Sequence, residues 1–378
     1  MMSKKILIIN PILYTSETNQ IPKVKSIKDT MIYTLCLGFV KLGHQVTLLA
    51  ARDYQPINKE NYDFPIFFME TAGHKVFQPR CLPYMPKLRG FLKQHQEYDL
   101  IISSETFGTW SYTAARVYPE KTVIWQELAK HNNILHKIPS KVWYNIIARF
   151  MMRKILVVPR SETAACFIRK FLPHVANICI DHGVDLNKFP LSEQIQKKNQ
   201  FAVVSQLIER KRIDYTILQF KDFLEKGYQD YKLYIIGQGE QNEMLQTLVR
   251  QHHLEKSVIF CGQMSHEQLL PIVADSKALL VSTAKDNNMV SIVESIAVGT
   301  PVITTSVPYN AAYIRREALG IVSDDWNADD LDAMCTGNDT YVRNCVRYRE
   351  KLSNTYLAKQ FIQLSEKENS QDKEGTGL

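Results

Sequence analysis

The chain has 378 residues, 45% hydrophobic and 22% charged, which is long enough for two globular domains, each with its own core. Its formal charge of +7 suits anionic substrates or an anionic membrane surface, and is equally ordinary for a soluble protein. The 7 cysteines are scattered singly with no CxxC or Cys/His ligand spacing, which argues against structural zinc and for a reduced, cytoplasmic compartment.

From the amino terminus, MMSKKILIINP runs directly into a strand. Its apolar run is too short for a signal peptide or a spanning helix, so any membrane contact is expected to be peripheral. Strand and helix patterns then alternate, which predicts an α/β chain with parallel sheets covered by helices on both faces. In the first half, strands are predicted at Lys5 to Asn10, Gln45 to Ala50, Ile66 to Met69, Asp99 to Ser103, Thr122 to Trp125, Ile155 to Val158 and Asn177 to Ile180. Asn10, Glu105, Gln126 and Glu127 fall at or just beyond strand ends; the two glutamates read as ligand contacts or as solubilising acids at an edge. Lys141 to Lys154, KVWYNIIARFMMRK, suits an interfacial helix on anionic lipid as well as a helix packed on the sheet. Leu82 to Gln94 adds Lys87, Arg89 and Lys93 to the same domain. In His182-Gly183-Val184-Asp185 the glycine permits φ > 0 at a turn.

The polar segment Ser192 to Asn199, SEQIQKKN, is the expected linker, giving domains at 1–191 and 200–340. The second half restarts with strands at Phe201 to Val204, Lys232 to Ile236, Val258 to Cys261, Ala278 to Ser282 and Pro301 to Thr304. Two doubly wound domains would place ligands in a cleft outside the strand carboxyl ends. Arg210, Lys211 and Arg212 gather where the first of these strands ends, as a phosphate site or as solvated surface. Gly237-Gln238-Gly239 lacks the third glycine of a dinucleotide fingerprint, with Asn242 in its place, and reads as a tight turn. Val258 to Met264 reads as a core strand and turn. From Ser282 to Thr305, strand, polar loop, helix (about Val290 to Val298), Gly299 cap and strand succeed one another. That loop feeds a helix amino terminus, where free N–H groups favour an anion, or it is a plain αβ connection. Glu294, one turn in, is placed to accept two hydroxyl hydrogen bonds from a ribose. Tyr341 to Leu364 reads as a helical pair, and residues 365–378 as a disordered tail.

Asp286, Glu294 and Gly299-Thr300-Pro301-Val302 resemble the donor signature of the family 4 glycosyltransferases, retaining enzymes of the GT-B fold with two Rossmann-like domains. Asp286 stands at the family's first glutamate and Glu294 at the second. The resemblance implies that Glu294 holds the ribose of a sugar nucleotide, while Asp286 and the amides of Asn287, Asn288, Met289, Val290 and Ser291 face the sugar and diphosphate. Lys211 matches the family's phosphate-clamping lysine. Gln206 replaces its arginine and Arg212 its glycine, so Arg210 or Arg212 must supply the second cation, or donor binding is weaker. Gly237 would line the donor pocket, with the backbone of Gln263 and Met264 reading the base.

In the first domain Gln126 takes the position of the family's histidine and Glu127 that of its aspartate. Glu127 is then a catalytic candidate, with Asn10, Glu105 and Gln126 as acceptor contacts; no glycine-rich loop follows the first strand. His182-Gly183-Val184-Asp185 resembles the family's Asn-Gly-Val-Asp. In that fold the carboxyl-terminal helices, here 341–364, often cross back to the first domain.

The implied activity is metal- and cofactor-independent transfer from a nucleoside diphosphate sugar to a glycan or lipid-linked acceptor. The setting would be bacterial surface polysaccharide synthesis (capsule or lipopolysaccharide), at the inner face of the plasma membrane and without nucleic acid. A sugar-nucleotide epimerase of the same fold and a non-catalytic sugar-nucleotide binder remain as alternatives.

Overall fold

The computed structural model describes residues 3–14, 20–78, 80–191, 196–286 and 288–375, with side chains through residue 366. The chain divides into two compact units, Met1–Asp185 with Asn354–Leu378, and Leu186–Ser353.

The first unit is built on β1 (Lys5–Ile9), β2 (Gln45–Ala51), β3 (Ile66–Met69), β4 (Leu100–Ser104), β5 (Thr122–Gln126) and β6 (Leu156–Pro159). They form one parallel sheet in the order β3-β2-β1-β4-β5-β6, with Ile6 opposite both Val46 and Leu100. Successive side chains of a strand point to opposite faces. Ile6 and Ile8 enter one core with Leu48 and Ile102, and Leu7 and Ile9 enter the other with Leu49 and Ile101. Burial on both faces is why β1 reads as an unbroken apolar run rather than an alternating one.

The second unit contains β7 (Gln200–Val204), β8 (Lys232–Ile236), β9 (Val258–Gly262), β10 (Ala278–Val281), β11 (Val302–Thr304) and β12 (Gly320–Val322), in the order β12-β11-β10-β7-β8-β9. In both sheets the winding direction reverses beside the first strand, between β1 and β4 and between β7 and β10. The connections leaving those neighbours diverge, so a crevice opens outside their carboxyl ends.

Four expectations are corrected. Asn177 to Ile180 is not a strand: among the described residues it meets β6 through one backbone bond, Ile180 N to Pro159 O, after an isolated bridge from the preceding Val175 to Val157, too sparse for a ladder. Conversely β12, three residues long and only partly buried, carries too short a pattern to be read. The unit boundary falls at Asp185, before the polar segment. Residues 192–195 lie outside the described set, and Lys197, only 5% exposed, donates to Ala274 O at 2.6 Å and Thr300 Oγ1 at 3.2 Å, packing the rest of the presumed linker into the second unit.

The fourth concerns the carboxyl end, where helix Asn338–Tyr348 stays in the second unit and helix Asn354–Gly375 belongs to the first. There Leu357, Ala358, Phe361 and Ile362 join the core of Ile6 and Trp125. Gly38 permits the close crossing, since a Cβ on it would lie 2.3 Å from Asn354 O. The helix continues to Gly375, past Ser365 where a disordered tail was expected. Extending an anchored helix avoids the nucleation cost, so a polar sequence follows it.

Candidate functional site

In the second unit, the loops leaving the adjacent strands β7 and β10 are stitched together. Ala284 N donates to Arg210 O at 2.8 Å, Thr283 Oγ1 to the same oxygen at 3.2 Å, and Ser282 Oγ bonds Lys211 O at 2.9 Å and Arg212 O at 2.7 Å. This backbone lattice brings together side chains 75 residues apart: Lys211 Nζ pairs with Asp286 Oδ2, and Arg210 Nη1 reaches the same oxygen at 3.2 Å. Two cations thus meet at one carboxylate oxygen. Arg210 also donates to Lys285 O at 2.9 Å. Arg212 turns elsewhere. Its backbone is left-handed, φ 50°, where the resembled pattern has glycine, and its guanidinium stacks on Tyr215 with 4.6 Å to the ring centroid. The second cation beside Lys211 is therefore Arg210.

Gln206 is exposed on the same loop. Beside it lies the Gly237 turn, whose glycines answer to backbone packing. At φ +142° a Cβ on Gly237 would stand 1.8 Å from Ser205 O, and one on Gly239 2.2 Å from Leu207 O. Gly237 N donates to Gly262 O at 2.8 Å, which brings the turn beside the segment leading to the half-buried Met264.

Helix Val290–Ala297 follows the β10 loop and, among the described residues, has no side-chain cap at its amino end. Met289 N is held by Asn310 Oδ1 at 2.7 Å, which orients the first turn. Asn288 is half-buried and Val290 exposed, while Asn287 lies outside the described residues. Glu294, 7% exposed, is one turn in and pairs with His266 Nε2 at 3.1 Å. His266 and Asn310 were not singled out in the sequence. Each meets the site from a different connection, and no local spacing ties either to Glu294 or Met289.

The carboxyl edge of the first sheet carries a second cluster. Arg160, 8% exposed just beyond β6, pairs with Glu127 Oε2 at 2.5 Å, stacks on Trp125 with 3.7 Å to the ring centroid, and donates to His182 Nε2 at 3.1 Å. Burial and the neighbouring guanidinium hold His182 well below the usual imidazole range, so it is neutral. Because Nε2 accepts from Arg160, the proton of this neutral ring sits on Nδ1. Arg160 was missed by the sequence reading, although a cation just past a strand is the signal that marked Lys211.

Gln126, expected among the acceptor contacts, is fully buried and occupied internally. It accepts from Thr106 N at 2.9 Å, donates to Leu128 O at 2.9 Å and reaches Tyr144 Oη at 3.3 Å. An amide in this position satisfies backbone groups of two loops at once, and meeting a ligand would break those bonds. Asn10, 8% exposed, likewise donates to Ile12 O at 3.0 Å.

Glu105 sits at φ 62°, a strained setting for a residue with a Cβ, and accepts from Glu127 N at 2.8 Å and Leu128 N at 3.3 Å. Burial and then the Glu127 carboxylate push its pKa up from 4.5 to about 7, against the pull of Arg160 and the two amides. The folded state thus holds this proton more tightly than the unfolded chain. Its stabilising contribution is full below the unfolded value of 4.5 and is lost as pH rises through about 7. Glu105→Gln removes that dependence. Urea titrations of both proteins across this range should show the wild type losing on the order of 3 kcal/mol relative to the variant; parallel pH profiles would contradict it.

Residues 187–334 match the family model described as Glycosyl transferases group 1. The chain is 23% identical over 330 residues, 79% of its length and 72% of the relative's, to alpha-monoglucosyldiacylglycerol synthase of Streptococcus pneumoniae. Among solved structures, sucrose-phosphate synthase from Thermosynechococcus elongatus superposes with a TM-score of 0.65 at 16% identity, covering 96% of this chain and 98% of that one. Anabaena HepE, solved with UDP, gives 0.64 at 13% identity over 96% and 99%. At this identity such likeness shows the fold, which is GT-B, two Rossmann-like units each with a six-stranded parallel sheet.

Proposed function

We propose that this chain, a glycosyltransferase of the GT-B fold, is a retaining, family 4 type enzyme. It moves a sugar from a nucleoside diphosphate sugar to a lipid-linked or glycan acceptor in bacterial surface polysaccharide synthesis, at the inner face of the plasma membrane. The observation that carries the donor half is the meeting of Arg210, Lys211 and Asp286 at the β7/β10 reversal, beside the amino end of helix Val290–Ala297. An incoming diphosphate meets two adjacent cations and helix N–H groups, and can replace the carboxylate as their partner. Glu294, on the same helix, is the ribose acceptor. HepE has been solved with UDP and with UDP-glucose, which supports a uridine donor. A relative named for making alpha-monoglucosyldiacylglycerol supports a lipid acceptor.

In this reading the two cations stabilise the charge that develops on the departing diphosphate, and that phosphate helps take the acceptor proton. No protein nucleophile is required. Before the donor arrives Asp286 holds Lys211 and Arg210 in register; once the diphosphate takes them over it faces the sugar, while Glu127, fixed by Arg160, orients the acceptor.

Calorimetry with a panel of UDP-, GDP- and ADP-sugars tests donor binding. Release of nucleoside diphosphate with diacylglycerol-type acceptors in mixed micelles then tests transfer, and nuclear magnetic resonance of the product reads the anomeric configuration. Failure of every sugar nucleotide to bind would end the proposal. Binding without turnover would favour a non-catalytic binder, and turnover of donor alone to an isomeric sugar nucleotide would favour an epimerase.

A further inference from the structure

The helical segment from Lys137 to Lys154 has a repeat of four residues that the tertiary structure turns into separate faces. Ser140, Tyr144, Ala148 and Met152 are each at most 1% exposed; the last three pack with Phe107 and Phe167. The next register faces solvent and is wholly apolar, with Ile138 63%, Val142 48%, Ile146 56% and Phe150 74% exposed. Beside it run Lys137, Lys141, Asn145, Arg149 and Arg153, all exposed. Steps of four drift by about 40° in an α-helix and would wind such a stripe around the axis. Here Trp143–Ala148 is a π-helix, whose wider turn reverses that drift and keeps the stripe straight.

A helix apolar on both sides is normally buried on both. This one is buried on one side only, and the flank of its open side carries one sign of charge. Residues 137–154 hold five cations and no acid. A cavity of about 650 Å³ adjoins it, lined in part by Arg89, Lys93, Arg116 and Tyr112. Tyr112 links the cavity to the helix: its hydroxyl lies 3.6 Å from Met151 Sδ and its ring 6.2 Å from Trp143.

We propose that this face is the protein's docking surface for an anionic phospholipid bilayer. The Ile138–Phe150 stripe enters the boundary between headgroups and acyl chains, the basic register pairs with lipid phosphates, and the Arg89/Lys93/Arg116 cavity receives a headgroup. A bilayer fits because it offers apolar depth and spread negative charge along the whole length of one straight stripe. Among the described residues no helix is long and apolar enough to cross a membrane, so the contact is interfacial. The inference extends the lipid-acceptor reading, but its test needs neither donor nor acceptor.

The test is sedimentation of the full chain with phosphatidylglycerol/phosphatidylcholine vesicles and with phosphatidylcholine alone, at low and high salt. Binding to the anionic vesicles that weakens with salt is expected. Ile146→Asp with Phe150→Asp should lower the partition coefficient roughly tenfold or more, and Lys141→Glu with Arg149→Glu should remove the preference for anionic lipid. Exposed positions leave the fold intact, checked by circular dichroism. Equal binding to both vesicle types, no binding to either, or retained binding in the aspartate variant would overturn the proposal. So would a dimer in light scattering that this variant converts to monomer, which would assign the face to a second copy of the chain.

Discussion

Glu294→Ala should weaken donor binding about a hundredfold or more, the largest loss expected from any single substitution in the second unit. Its carboxylate is almost sealed from solvent, sits on the second turn of helix Val290–Ala297, and pairs with His266 Nε2 at 3.1 Å. One ionised carboxylate accepting both ribose hydroxyls makes two charge-assisted hydrogen bonds, each worth about 1.5–3 kcal/mol. Losing both amounts to roughly 3–6 kcal/mol, or about two to four decades in Kd. Glu294→Gln keeps the volume and one acceptor, and should fall between. Calorimetry with the sugar nucleotide that binds the wild type best measures this; an alanine variant that is folded and binds as tightly as wild type would remove Glu294 from the site.

Lys211→Ala should cost roughly 2–3 kcal/mol of donor affinity, thirtyfold or more, with much less effect on the fold. Removing one partner of a buried ion pair is usually damaging because the other charge is stranded. Here Asp286 keeps Arg210 at 3.2 Å, so the carboxylate remains compensated while the phosphate loses its closest cation. Arg212→Ala is the matched control. Its guanidinium is stacked on Tyr215, so it should leave affinity within about twofold. Equal losses in the two variants would show that the site responds to net charge near the loop rather than to the geometry of Lys211.

The elements were legible where the chemistry is local. Short apolar runs, repeated between helical patterns, read as strands of a parallel sheet, and eleven of the twelve observed strands are found that way. The block from Ser282 to Thr305 was readable for the same reason: strand, loop, helix and Gly299 cap each follow from adjacent residues. Failures came where a pattern was short or its context distant. Asn177 to Ile180 has strand composition but, among the described residues, meets β6 through one backbone bond. Lys197 looks like linker and is packed under Thr300. The Lys141 to Lys154 segment read equally as a core helix or a surface one, and the structure makes it both, on opposite sides.

What the sequence determined by itself is which side chains stand at the carboxyl ends of strands, because strand boundaries follow from hydrophobic pattern and the loop residues are then counted off. It could not say where those side chains point. Arg210 rather than Arg212 joins Lys211 because the backbone turns left-handed at residue 212 and Tyr215 captures that guanidinium. Gln126 is buried because Thr106 N and Leu128 O need it, and Arg160 gains its place from Glu127, Trp125 and His182. The orientation of Arg212 is settled within its own connection, whereas the places of Gln126 and Arg160 depend on groups brought in by another connection of the sheet. Only closure of the tertiary structure puts those groups within hydrogen-bonding range.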